Sequence, residues 1–188
     1  MKKTLIAIGS VALVALITAF SIMSSYNGLV SKEELVKNAN SKIEVTLQRR
    51  ADLIPNVVES TKGYMKHEKE IFSNIADARS KIGSSDKATK EEGQSELSSA
   101  ISRLLVVKES YPELKADTQV SALIAELEGT ENRLVVARTD YNTVATEFNQ
   151  DIRKFPKNIL ANMFGFKSVD LIKADEGAKT APKVNLSE

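Results

Sequence analysis

The chain has 188 residues and a formal net charge of +1. It therefore lacks the basic excess of nucleic-acid-binding proteins, and no nucleic-acid partner is expected. The absence of Cys excludes disulfides, thiol catalysis and thiolate metal sites, while few aromatic, Gly and Pro residues favour long helices over sheets.

The N-terminus has the features of a membrane anchor. Lys2 and Lys3 precede residues 5–23, a stretch of nineteen residues without a charge, and about 20 apolar residues are needed to span a bilayer. A cleaved signal peptide is the competing interpretation, but residues 20–25 offer only a poor small-x-small cleavage site. We therefore predict a retained single-pass anchor, residues 1–25. The positive-inside rule places the N-terminus in the cytoplasm and the remaining chain on the outer side of the bacterial cytoplasmic membrane.

A seven-residue repeat follows the anchor over residues 26–82 and predicts a long helix. The recurring positions are Leu29, Val36, Ile43, Arg50, Val57, Tyr64, Ile71 and Ala78. Pro55 removes one backbone hydrogen bond, so the helix either kinks there or ends, with a second helix starting at Pro55. The repeat passes Pro55 without a change of register, which favours the kink.

Turn and cap signals place the other helices. Residues 83–86 (GSSD) form a turn, and Pro112 interrupts the helix that follows. Asp117 has the side chain of an N-cap for the next helix, which Pro156 stops. The predicted helices beyond the anchor are 26–82, 89–109, 116–155 and 157–163.

The most regular pattern spans residues 120–155, where apolar positions alternate in steps of four and three and form one helical stripe facing partner helices. Its members are Val120, Ile124, Leu127, Glu131, Leu134, Arg138, Tyr141, Ala145, Phe148, Ile152 and Phe155. The two charged members either keep their charged ends in water or pair with opposite charges on a facing helix. Our hypothesis is that Arg50 or Arg79 pairs with Glu131 inside the bundle. The candidate ion-pair residues are Arg50, Arg79, Glu131 and Arg138.

A second candidate is the Phe-rich segment 155–166. It either covers the end of the bundle or forms an exposed apolar surface for a membrane or a partner. The candidate contact residues are Phe155, Leu160, Met163, Phe164 and Phe166.

Catalytic and metal-binding patterns are weak. His67 begins a segment like the zinc-protease motif, but the second His of that motif is replaced by Ile71. His67 is the sole histidine, so a zinc site would need three carboxylates. We assign no catalytic, cofactor-binding or metal-binding residue and expect no enzyme.

Together these elements predict an all-α protein. A transmembrane helix (1–25) precedes an up-and-down four-helix bundle with long, coiled-coil-like helices (26–173). A polar C-terminal tail (174–188) completes the chain.

Residues 47–58 (LQRRADLIPNVV) resemble the signature of the LemA family. Further matching motifs are Tyr26-Asn27, Lys62-Gly63-Tyr64, His67-Glu68, Ala78-Arg79, Tyr111-Pro112-Glu113-Leu114-Lys115-Ala116, Ala137-Arg138, Tyr141-Asn142, Phe155-Pro156 and Phe164-Gly165-Phe166. Asn40 departs from the pattern, because many relatives carry Trp there. The resemblance implies a single N-terminal span and a four-helix bundle outside the cytoplasm, and it implies no established biochemical activity.

Two functions fit these features. The first is a non-enzymatic interaction module, anchored in the membrane, whose helix faces bind another envelope protein. The alternative is a structural protein of the cell envelope that associates with copies of itself or contacts lipid. The expected partners are the membrane, an envelope protein and a second copy of the chain.

Overall fold

The computed structural model describes residues 2–173, with side chains described from residue 8 onward, and it contains six α-helices and no strand within that range. The helices are α1 Lys2–Lys62, α2 Lys69–Ile82, α3 Lys87–Val107, α4 Pro112–Ala116, α5 Thr118–Asp151 and α6 Lys157–Phe164. The predicted all-α fold class is confirmed. The predicted polar tail, 174–188, lies outside the described residues.

The first helix continues through Pro55. Its N-terminal part contains an 18-residue window with a mean hydropathy of 2.0, none of which is buried. At Pro55 the carbonyl of Ala51 loses its usual helical donor, and Ala51 is exposed, so that water can reach this carbonyl. Because α1 runs without a break from Lys2 to Lys62, the alternative in which a new helix begins at Pro55 is wrong.

The predicted helix 26–82 is nevertheless interrupted, because α1 ends at Lys62 and α2 begins at Lys69. The Thr61 carbonyl accepts hydrogen bonds from the backbone N–H groups of Tyr64 and Met65, both at 3.0 Å. The Met65 side chain is fully buried. The connection thus turns inward and contributes to the core.

The chain forms two compact units. Among the described residues, unit 1 consists of residues 2–43 and 136–172, and unit 2 of residues 44–135 and residue 173. Both α1 and α5 contribute residues to each unit.

Unit 2 is built from the C-terminal part of α1, from α2, α3 and α4, and from the N-terminal part of α5. Its buried core consists of Ile54, Val57, Met65, Ile71, Ile75, Ala78, Leu97, Ala100, Ile101, Leu104, Leu114, Val120, Ile124 and Leu127. Asp86 caps α3 by accepting a hydrogen bond from the Thr89 N–H at 2.8 Å. Asp117 caps α5 as predicted, accepting from the Gln119 and Val120 N–H groups at 3.0 and 3.1 Å.

Unit 1 has a smaller core, in which Val36 of α1 is buried together with Ala145 and Phe148 of α5. The stripe predicted for residues 120–155 ends earlier than expected. The helix stops at Asp151, and Phe155 is 80 % exposed. Pro156 limits the helix, since it has no N–H to donate to the Ile152 carbonyl and its ring would clash with that carbonyl in a helix.

Gly93 permits a close approach of α2 and α3. A Cβ atom there would lie 2.8 Å from both the Ala78 carbonyl oxygen and the Lys81 Cβ. We therefore expect Gly93→Ala to lower the free energy of unfolding by about 1–2 kcal/mol, because the overlap outweighs the better helix propensity of Ala. Thermal unfolding of the full chain in detergent micelles, followed by circular dichroism, measures this change.

Gly129 offers a matched control within α5. A Cβ there would meet the Arg133 guanidinium at 3.6 Å or more, which is ordinary contact, so Gly129→Ala should stabilise the chain by about 0.5–1 kcal/mol. If Gly93→Ala were as stable as the parent, the close approach of α2 and α3 would be contradicted.

Candidate functional site

Arg50 is the most deeply buried charged side chain of unit 2, with 2 % of the side chain exposed. Its Nη1 donates a hydrogen bond to Ser98 Oγ of α3 at 2.8 Å. The same nitrogen donates to Glu131 Oε1 and Oε2 of α5 at 3.3 and 3.4 Å. Residues from three helices therefore meet at one buried cation.

The four candidate ion-pair residues occupy different environments. Arg50 and Glu131 come together, whereas Arg79 lies on an exposed face of α2. Arg138 is half-buried in the part of α5 that belongs to unit 1. The third member of the cluster, Ser98, had not been anticipated, because a serine within a helix carries no distinctive spacing.

The Arg50 cluster has no evident catalytic chemistry. A guanidinium remains protonated at every physiological pH and cannot act as a base, and the Ser98 hydroxyl faces that cation. The arrangement instead joins α1, α3 and α5 through charge-assisted hydrogen bonds in the interior of unit 2.

Two tyrosine–carboxylate hydrogen bonds join the loops of unit 2. Tyr64 donates to Asp117 at 2.9 Å, and Tyr111 donates to Glu68 at 3.0 Å. Hydrogen bonds from the Val120 N–H and the Tyr64 hydroxyl hold the pKa of Asp117 below its usual value, while the Asp117 carboxylate raises the pKa of Tyr64. The phenol thus stays protonated and the carboxylate ionised, as a structural donor–acceptor pair requires.

His67 lies exposed in the connection between α1 and α2. Among the side chains of residues 8–173, no group of three His, Asp or Glu residues is placed to hold a metal ion.

An aromatic cluster in unit 1 joins α1 to α5 and to the C-terminal end of α6. The Tyr26 ring lies 4.7 Å from Phe164 and 5.9 Å from Phe166, measured between ring centroids. Phe166 also lies 6.3 Å from Phe148 of α5. Because Tyr26 follows the uncharged stretch by only three residues, the C-terminal end of α6 lies close to the end of that stretch of α1.

Asp151, the last residue of α5, holds the start of α6. Its side chain is 10 % exposed, and its Oδ2 lies 2.7 Å from Lys157 Nζ and 3.1 Å from Lys32 Nζ. Lys154 Nζ lies 3.5 Å from Oδ1. The hydrogen bond from Lys157, together with that from Lys32, lowers the pKa of Asp151 from 3.8 to about 2 although burial acts in the opposite direction.

The segment after α6 is held by two asparagines one heptad apart on α5. Asn149 donates to the Val169 carbonyl at 2.8 Å and accepts from the Val169 N–H at 2.9 Å. Asn142 makes the same pair of hydrogen bonds with Ile172, also at 2.8 and 2.9 Å. Our sequence analysis missed this clamp, although two Asn residues seven apart beside an apolar stripe are a detectable signal.

The candidate contact segment divides into an inner and an outer set. Leu160 is buried and Phe166 is half-buried against the core of unit 1. Phe155 and Met163 are 80 % and 63 % exposed, and Phe164 remains half exposed beside Tyr26. Some residues of this segment therefore pack inside unit 1, and the others remain accessible at its surface.

Comparison with known proteins assigns the chain to a protein family. Residues 39–186, most of the chain, match the model described as LemA family. The chain belongs to the LemA family. The matched region includes the Arg50 cluster, the aromatic residues of α6 and the asparagine clamp.

Three relatives are similar over most of their length. Magnetosome protein MamQ 2 of Paramagnetospirillum magneticum is 29 % identical over 193 residues, covering 88 % of this chain and 70 % of the relative. Magnetosome protein MamQ of Magnetospirillum gryphiswaldense is 28 % identical, covering 89 % and 71 %. Protein LemA of Metamycoplasma hominis is 29 % identical, covering 84 % and 73 %. With the exposed apolar window of α1, the family match indicates a membrane-associated helical protein.

Proposed function

We propose that this LemA-family protein is a non-enzymatic interaction module anchored in the bacterial cytoplasmic membrane. The observation that carries the proposal is the continuity of α1. One 61-residue helix contains the exposed apolar window and then supplies core residues to unit 2. The same helix thereby supplies both the proposed span and part of the folded helical body.

The surfaces support binding better than catalysis. The groove between α2 and α3 is open, and the polar residues of its lining include Asn74, Asp77, Ser80, Ser95, Ser99 and Arg103. Its hydroxyl, amide and charged groups suit hydrogen bonding to another protein surface, since protein interfaces combine such contacts with trapped water. None of the three relatives described above is named for a reaction, which is consistent with a binding role.

The orientation of the anchor can be tested by labelling a single cysteine. Ser85→Cys lies exposed in the turn between α2 and α3, and the parent chain contains no Cys. With the bundle outside the cytoplasm, a membrane-impermeant maleimide should label this variant in spheroplasts. A Thr4→Cys control, on the predicted cytoplasmic side, should react only after lysis. The reverse pattern would place the bundle in the cytoplasm and contradict the proposed location.

Partner binding can be tested by photocrosslinking within cells. A photoreactive amino acid at Asp77 or Ser99, both exposed in the α2–α3 groove, should crosslink to a different membrane or envelope protein. The same amino acid at Ile17, in the apolar window, controls for collisions within the bilayer. Crosslinks from the groove that join only copies of this chain would favour the self-associating alternative.

A further inference from the structure

The short helix α6 exposes an apolar face. Leu160 and Ala161 pack inward and are 8 % and 2 % exposed. Ile159 and Met163, one turn apart on α6, are 57 % and 63 % exposed, and Phe155, two residues before the helix, is 80 % exposed. We call these three residues the α6 outer face. An exposed apolar patch of this kind marks a surface that contacts lipid or protein.

The position of α6 favours lipid. Phe164, the last residue of α6, packs on Tyr26, which follows Met23 by three residues along α1. Three residues of helix advance about 5 Å, and the polar headgroup layer on each side of the hydrocarbon is roughly 5–8 Å thick. If residues 5–23 fill the hydrocarbon layer, this packing places the last turn of α6 at the depth of the headgroups.

The charges around α6 indicate which lipid it contacts. Residues 152–169 contain four basic residues and no acidic residue. Asp151, immediately before this segment, is shared by the ammonium groups of Lys32, Lys154 and Lys157, and Glu147 also contacts Lys32 at 3.5 Å, so two carboxylates face three cations. A cationic segment beside an apolar face is the combination that binds anionic membrane surfaces.

The same charges disfavour a second copy of this chain as the partner of the α6 outer face. If two copies met through this face, the basic residues of one would lie against the basic residues of the other, and like charges brought together across an interface are repulsive. An anionic lipid surface meets both requirements, since it takes up apolar side chains and balances the positive charge.

We propose that the α6 outer face inserts into the leaflet from which α1 emerges, with Arg153, Lys154 and Lys167 contacting anionic phospholipid headgroups. This proposal rests on one part of the proposed function, which is that α1 spans the membrane. Unit 1 then touches the bilayer through α6 as well as through the span. This second contact fixes the tilt and the rotation of α1 relative to the membrane surface.

The test uses the full chain reconstituted into phosphatidylcholine vesicles with and without phosphatidylglycerol. A Met163→Cys variant carries an environment-sensitive fluorophore, and Val106→Cys, at an α3 position that is 72 % exposed, serves as the matched control. With phosphatidylglycerol, lipids that carry a nitroxide near the headgroup should quench the Met163 probe several-fold more strongly than the Val106 probe. Iodide in the aqueous phase should quench the Val106 probe more strongly than the Met163 probe.

Two further variants separate the apolar and the charged contributions. Phe155→Ser with Ile159→Ser, both at exposed positions, should abolish most nitroxide quenching while leaving the circular dichroism melt unchanged. Arg153→Glu with Lys167→Glu should abolish the added quenching that phosphatidylglycerol produces. Flotation of the protein with the vesicles measures membrane insertion of α1 independently. Loss of the anchor can therefore be distinguished from loss of the α6 contact.

Three outcomes would overturn the proposal. Equal iodide quenching of the Met163 and Val106 probes would place the α6 outer face in water. Protection of the Met163 probe from both quenchers would show that protein covers it. Equal nitroxide quenching in pure phosphatidylcholine would overturn the assignment to anionic headgroups.

Discussion

Replacing Glu131 by Gln should lower the free energy of unfolding by about 3–5 kcal/mol, because it removes the carboxylate that pairs with the buried Arg50 guanidinium. The Arg50 side chain is 2 % exposed and cannot turn toward water. Ser98 remains as an acceptor, but a neutral hydroxyl does not balance a charge. In a chain of this length the melting temperature should fall by roughly 6 °C or more, measured by circular dichroism in detergent micelles.

Glu128→Gln provides the control on the same helix. Glu128 pairs with Lys108 at 3.1 Å, but its side chain is 51 % exposed, so its loss should change stability by less than about 1 kcal/mol. Combining Glu131→Gln with Arg50→Met removes both charges, and this double variant should be more stable than Glu131→Gln alone. A Glu131→Gln variant that melts within about one degree of the parent, against the shift expected for a broken buried pair, would contradict the structural role of this ion pair.

The sequence was sufficient to choose between Arg50 and Arg79 as the partner of Glu131. Arg50 occupies the same heptad row as Val36, Ile43 and Val57, and all four are buried. Arg79 follows a buried member of that row by one residue, which rotates it about 100° around the helix. Its exposed position follows from that rotation, and our hypothesis left open an alternative that helix geometry excludes.

The break between α1 and α2 was concealed by the same periodicity. Val57, Tyr64 and Ile71 keep a seven-residue spacing across the connection, so the pattern appears continuous although the helix is not. Pro55, the stronger interruption signal, is accommodated within α1. Periodicity reports which residues face a core, and it does not require that one helix carries them all.

The packing of unit 1 could be predicted only in part, because it depends on contacts between segments that are far apart in the sequence. The Phe-rich segment was evident from composition, but which of its side chains face inward depends on Tyr26, more than a hundred residues earlier, and on the asparagine clamp. The clamp binds backbone atoms of the segment after α6. The types of residue in that segment therefore do not indicate that the asparagines bind it.

Replacing Asp151 by Asn should cost about 2 kcal/mol near neutral pH, because Lys157 and Lys154 then lose this carboxylate and Lys32 keeps only the exposed Glu147. The pKa of this group is about 2 in the folded chain against an ordinary value of 3.8. A carboxyl group with a lowered pKa stabilises the fold fully above its ordinary pKa and loses this effect as the pH falls toward the folded value. The melting temperatures of parent and variant should therefore converge between about pH 4 and pH 2.

Glu147→Gln separates this effect from ordinary surface charge, because Glu147 contacts the same Lys32, at 3.5 Å, with 60 % of its side chain exposed. An exposed pair of this kind contributes less than about 1 kcal/mol, so the control should melt close to the parent throughout the pH range. If the Asp151→Asn deficit stayed constant from neutral to acidic pH, the loss would come from packing. Convergence in acid would instead show that one carboxylate, held by lysines of α1 and α6, attaches the start of α6 to the anchor helix.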